Sequence, residues 1–222
     1  MTTTSTAAPP WWRRSTVILG AVVLVVVVLM LLSTTFVKAD ANSQVAADTA
    51  VEFAELNYST SVVPTITDNA VDIVELAEKM QTDPEATGEE LGRREDENKP
   101  YSFSVTATGT VVDGAFGEVG LEVDGMPDGM TVGIAVPPLG SSTALRDAGT
   151  DVTFGDFVNQ TEYQNVAIEL NKLAAADVYD GVDVDGLVGQ EVTVTGAVTW
   201  SSKTGGEVTH LQIVPVSLEV TS

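Results

Sequence analysis

The sequence predicts a mainly β domain with helices, an OB-like five-stranded barrel that carries an N-terminal helical extension and follows one transmembrane helix. Three observations predict it. An uncharged stretch runs from Ser15 to Val37, five segments after residue 100 alternate apolar with polar residues, and one long helical pattern separates the third from the fourth. Three strands, a helix and two strands is the order of a small, partly open barrel of the OB type. A chain of 222 residues, less a tail and an apolar segment, is long enough for one core.

Residues 1–14 read as a cytoplasmic tail, 15–37 as a signal anchor, 38–47 as a stalk, 48–99 as a helical extension and loop, and 100–222 as the barrel domain. As a helix, Ser15 to Val37 would be roughly 34 Å long, enough to cross a hydrocarbon core of about 30 Å. Arg13 and Arg14 before it hold the N-terminus in the cytoplasm, with Trp11 and Trp12 at headgroup level, so the main domain lies outside the cell membrane. The alternative is cleavage after Ala39 and release of the rest.

From Asp48, the residues Val51, Phe53, Ala54, Leu56, Tyr58, Val62 and Val63 predict a helix that breaks at Pro64. A second helix is expected from Asp68 as N-cap, with Val71, Ile73, Val74, Leu76 and Ala77 as its apolar stripe and Asp83–Pro84 as its end. Thr82 to Lys99 reads as an exposed loop. Tyr101 to Val112 alternates as a half-buried strand, Asp113–Gly114 turns the chain, and Glu118 to Asp124 and Met130 to Val136 complete a meander that Pro137 and Pro138 stop. Thr161 to Tyr179 is the longest helix, with Thr161 as its cap. Gln190 to Trp200 and Val208 to Val220 are the last two strands.

Composition narrows the chemistry. The chain has no Cys, which removes disulfides, thiolate catalysis and the acceptor thiol of a lipid anchor. Ten basic residues stand against 32 acidic ones, a net of −22, and the few bases include Arg13, Arg14 and Lys38 beside the apolar segment. Such a surface repels nucleic acid and anionic headgroups.

Four motifs occur in order: LGRRE at Leu91 to Glu95, the strand opening PYSF at Pro100, STALRDA at Ser142 to Ala148, and FGDFVNQTEYQNVAIELN at Phe154 to Asn171. Together they resemble the predicted periplasmic lipoprotein family of unknown function, domain of unknown function 2291, over nearly the whole of the outer region. The resemblance implies an OB-like barrel with an N-terminal helical extension, export to the periplasm or cell surface, and genes beside sugar ABC-transporter components. Members are commonly lipoproteins, and the absence of Cys departs from that pattern.

The candidate ligand site comes from the last two motifs. Arg146, Asp147, Asp156, Asn159, Gln160 and Tyr163 offer donors and acceptors near a helix N-terminus, and Tyr163 and Phe157 add flat apolar faces, a mixture that suits a saccharide. The same residues could instead hold the loop and satisfy its backbone. Arg93 and Arg94 are a weaker candidate for contact with an anionic partner, against neutralising Glu89, Glu90, Glu95 and Asp96. Asp180 to Gly186 has a faint calcium-loop spacing without the later bidentate Glu, so a turn is expected and no metal or cofactor is assigned. His210, the only histidine, reads as a strand residue.

No nucleophile motif, phosphate loop or ligand cluster marks an enzyme. The reading is therefore a non-enzymatic accessory or saccharide-binding module of a sugar ABC transporter, its oligomeric state open. A ligand-free envelope scaffold and an acid-pair hydrolase are the alternatives.

Overall fold

The computed structural model describes residues 18–20, 22–26, 50–201 and 208–221. The chain forms two compact units, 1–41 and 42–222. In the first, residues 18–20 and 22–26 are helical, and Ile18, Leu19 and Val22 to Val26 are exposed. Most of the expected anchor, the tail and the stalk lie outside the described residues, among which no helix is long and apolar enough to cross a membrane.

In the second unit, α1 (Ala50–Asn57) passes through a π-helical turn (Tyr58–Val62) into α2 (Val63–Asp68). Pro64 does not break the helix as expected. It stands in the first turn of α2, where the π turn has already interrupted the ordinary ladder and a missing N–H costs little. The next helix also starts later than Asp68. Val71–Asp72 forms a two-residue strand, β1, parallel to the first barrel strand, and Asp72 caps α3 (Ile73–Thr82) by accepting from the N–H groups of Val74 and Glu75. The expected loop after Thr82 contains a helix, α4 (Pro84–Leu91). Asp83 accepts from the Ala86 N–H and Pro84 takes the first helical position, a start signal hidden beneath the charge run.

The barrel strands are β2 (Tyr101–Val112), β3 (Glu118–Glu122), β4 (Thr131–Ala135), β5 (Glu191–Trp200) and β6 (His210–Thr221). Their order is β2-β3-β4-β6-β5, and antiparallel pairing of β2 with β5, from Tyr101 opposite Trp200 to Thr110 opposite Glu191, closes the barrel. Only β4 and β6 run parallel among the five. Glycine makes the tight coiling possible: a Cβ on Gly109 would lie 2.2 Å from the Glu122 carbonyl, and one on Gly196, where β5 and β6 shift register, 2.3 Å from the Val214 carbonyl.

Two cores result. Phe103, Val105, Val111, Leu121, Ile134, Val194 and Ile213 fill the barrel, and Ile73, Leu76 and Met80 of α3 join them. Outside it, α5 (Ala144–Gly149) and α6 (Gln160–Tyr179) bury Leu145, Ala148, Val166 and Leu170 with Tyr58, Val62 and Ile66 against Ala197, Val214 and Val216. Both faces of one wall are therefore covered. This is why β2, expected to be half-buried, is buried at successive residues from Tyr101 to Val105, including Ser102 and Ser104. The cap of α6 is Asn159 rather than Thr161: its side chain accepts from the Glu162 N–H at 3.0 Å. Asp180 to Gly186 is turn structure leading into a short 3-10 helix, Asp185–Leu187.

Candidate functional site

The connection from β4 to α6 crosses the helix-covered wall, and α5 is its anchor. Arg146, in the middle of α5, is 4% exposed. A buried guanidinium needs both counter-charge and acceptors. Asp147 supplies the first, its Oδ1 accepting from Nε at 2.7 Å and lying 2.7 Å from Nη2, and the Tyr163 carbonyl accepts from Nη1 at 3.0 Å. The guanidinium carbon also stacks 3.7 Å from the centroid of the Tyr163 ring.

Tyr163, one turn into α6, joins this charge pair to the helical extension. Its hydroxyl donates to Glu95 at 2.9 Å, Phe154 meets its ring edge-on at 6.2 Å, and Phe157 packs at 5.7 Å with Phe53 of α1 behind it. Burial is the largest influence on the Tyr163 phenol and raises it well above the ordinary tyrosine value; Arg146 opposes this and the bond to Glu95 adds to it. Burial also works to raise Glu95, but the bonds it accepts from the Phe154 N–H and the Tyr163 hydroxyl, with Lys99 beside it, hold its carboxyl below the usual range.

The predicted residues divide into two groups. Arg146, Asp147, Gln160 and Tyr163 meet around a cavity of about 400 Å³, completed by Lys99, Pro100, Thr143, Phe154 and Gln164. Asp156 and Asn159 stand apart from it with local duties. Asp156 accepts from the Thr153 N–H at 2.8 Å and hydroxyl at 3.0 Å, closing the 3-10 turn Phe154–Asp156, and Asn159 caps α6. The amides of Gln160 and Gln164 have no hydrogen-bond partner among the described residues and are exposed. The cavity thus combines aromatic edges, free amides and a carboxylate whose second oxygen is open.

Arg93 and Arg94 are both engaged. Arg94 pairs with Glu89 at 2.5 Å and with Glu85 at 3.6 Å and lies 4.2 Å over the Tyr101 ring, so it neutralises the helix beside it. Arg93 reaches away from its sequence neighbours to Asp151 and to the carbonyls of Ala148 and Thr150, tying the extension to the end of α5. Glu95, Lys99, Phe154 and Gln164 were not predicted as site residues. Glu95 and Lys99 were hidden in a charge run, and no local periodicity shows that Glu95 and Tyr163 touch across 68 positions. Asn171 was the last residue of the motif; it is 1% exposed and donates to the carbonyls of Gly140 at 3.1 Å and Ser142 at 2.9 Å, fastening the incoming loop. Among the described residues no cluster of three or more His, Asp or Glu side chains could hold a metal ion.

A closed five-stranded barrel in this order, with its long helix between the third and fourth strands, defines an OB-fold protein. It is similar to the crystal structure of an OB-fold protein from Thermotoga maritima, with a TM-score of 0.60 and 16% identity over 79% of this chain and 99% of that one. Residues 24–219 match the family described as predicted periplasmic lipoprotein (DUF2291), and the chain belongs to that family. No curated protein matches the sequence.

Proposed function

We propose that this chain is a non-enzymatic, extracytoplasmic accessory module of a sugar ABC transporter, held to the cell membrane by a single helix at Ser15 to Val37 with its N-terminus in the cytoplasm, and that it binds a saccharide beside α6. One observation carries the ligand reading. The 400 Å³ cavity sets the Tyr163 and Phe154 rings among Gln160, Gln164 and Asp147, whose free amide and carboxylate groups match the alternating donors and acceptors of sugar hydroxyls. The absence of Cys and the uncharged run of residues support a helix in place of the lipid anchor that the family description implies.

A second reading has its own support. Arg146, Asp156 and Asn159 are all engaged in holding the loop and the helix start, as an envelope scaffold without a ligand would require. Thermal denaturation of the full-length protein in detergent against a panel of saccharides separates the two, since a ligand of the folded state raises the melting temperature. A shift that Gln160→Ala and Gln164→Ala abolish supports binding. No shift across the panel, with no transporter component recovered from native membranes, leaves the scaffold. A membrane fraction that releases the protein at high pH would sink the spanning helix.

A further inference from the structure

Six lysine and arginine side chains stand among the described residues of a chain whose net charge is −22, and two of the six, Lys99 and Arg146, line the cavity beside α6. Asp147 is the single carboxylate among the described lining residues, so the cavity carries one positive charge in excess where the rest of the chain is acidic. The two cations stand together. The Arg146 guanidinium carbon is 3.7 Å and the Lys99 Nζ 5.8 Å from the centroid of the same ring, that of Tyr163. Gln160 is the first residue of α6, which also places the cavity at the positive end of a 20-residue helix.

Arg146 is only partly used by its anchoring contacts. A guanidinium has five N–H groups. Nε and one N–H of Nη2 face Asp147 Oδ1 and one of Nη1 donates to the Tyr163 carbonyl, which leaves one N–H on each Nη without an acceptor among the described residues. The side chain is 5% exposed. Charged donors buried without acceptors are costly, and the cavity that Arg146 lines is where acceptors can reach them. Lys99 is freer still. Its Nζ lies 3.7 Å from Glu95 Oε2, beyond hydrogen-bond range, and Glu95 already accepts from the Phe154 N–H at 2.8 Å and the Tyr163 hydroxyl at 2.9 Å.

We infer that this cavity selects a saccharide bearing a carboxylate, a uronate, over the neutral sugar of the same ring. Arg146 and Lys99 receive the carboxylate, whose two oxygens accept from several N–H groups at once. Gln160, Gln164 and the open oxygen of Asp147 take the hydroxyls, and Phe154, half exposed on the lining, covers the CH face of the ring. This rests on the saccharide reading above and names its ligand class. The acidic surface does not oppose it, because exposed charges more than about 8 Å away are largely screened at physiological salt while Arg146 and Lys99 act at contact.

The test is calorimetric titration of the full-length protein in detergent with glucuronate and galacturonate, their neutral parents glucose and galactose, and cyclohexanecarboxylate, which has a ring and a carboxylate but no hydroxyls. One of the uronates should bind about tenfold more tightly than its parent sugar, as charged hydrogen bonds in place of neutral ones require, and should weaken as salt is raised. Arg146 also holds the fold, so the variants are made at Lys99. Lys99→Gln should weaken the uronate about threefold and leave the neutral sugar and the melting temperature unchanged, and Lys99→Arg should keep the preference. Gln160→Ala and Gln164→Ala should weaken acid and neutral sugar alike. A neutral sugar that binds as tightly as its uronate, or a preference that neither salt nor Lys99→Gln reduces, overturns the inference and leaves the saccharide reading standing. Cyclohexanecarboxylate binding as tightly as the uronates, or no binding of any sugar, overturns both.

Discussion

Replacing Arg146 with Met removes a buried charge and keeps most of the side-chain volume, so it isolates what the guanidinium does. The variant leaves Asp147 without its partner, the Tyr163 carbonyl without a donor and one face of the Tyr163 ring without its stacked cation. Breaking one side of a buried ion pair costs about 3–5 kcal/mol. Asp147 retains 18% of its side-chain exposure, and water can restore part of its solvation, which places the cost near the low end, about 3 kcal/mol. A domain of this size loses roughly 2–4 °C per kcal/mol, so the melting temperature should fall by roughly 6–12 °C. Circular dichroism melts of the full-length protein measure this directly. Adding Asp147→Asn should recover part of the loss, because the stranded carboxylate is then neutral, and the double-mutant cycle reports the coupling. A variant melting within about 2 °C of the parent, or a cycle with no coupling, would refute the account of α5 as a charged anchor.

Burial is the largest cause of a raised value for all four tyrosines, Tyr58, Tyr101, Tyr163 and Tyr179. Each therefore contributes stability that is complete below about pH 10 and is lost as pH rises through the higher folded value. Tyrosinate absorbance should stay low until the circular dichroism signal collapses; a normal titration near pH 10 with the fold intact would contradict the burial. Glu95 works in the other direction: its lowered folded value means that its contribution is complete above the ordinary carboxylate range and lost as pH falls below it. Glu95→Gln should lower the melting temperature at neutral pH and flatten the acid limb below about pH 4.3, and an unchanged acid limb would count against the link to Phe154 and Tyr163. Gly196→Ala should destabilise by at least about 2 kcal/mol, since the added Cβ meets backbone rather than a movable side chain; a parent-like urea midpoint would show that β5 can move there.

The alternating segments were legible because burial on a strand face is written at a period of two. Tyr101 to Val112 has the predicted ends, and the ends of the other four strands lie within two residues of the predicted ones. The extension was less so. Pro64 and the run from Thr82 to Lys99 each carry two opposing local signals: at Pro64 the preceding π turn had already interrupted the ladder, and at Asp83–Pro84 the capping chemistry of a new helix prevailed over the apparent breaker. Of the candidate residues, Arg146, Asp147, Gln160 and Tyr163 lie around one cavity because a single connection carries them. Glu95 and Lys99 come from before the barrel, and only the folded arrangement brings them to Tyr163.

The amino-acid pattern alone carried the succession of the five barrel strands, the long helix between the third and fourth of them, the acidic composition and the lack of thiol chemistry. These are local or compositional properties, and they survive any rearrangement of the elements in space. The tertiary structure decided what the local pattern could not carry: that β2 closes on β5, that one wall of the barrel is buried on both faces while the other stands open, and that Glu118 of β3 reaches His210 and Gln212 of β6 across a glycine. Each depends on pairings between residues far apart in the chain, whose register is set by the packing of the whole barrel.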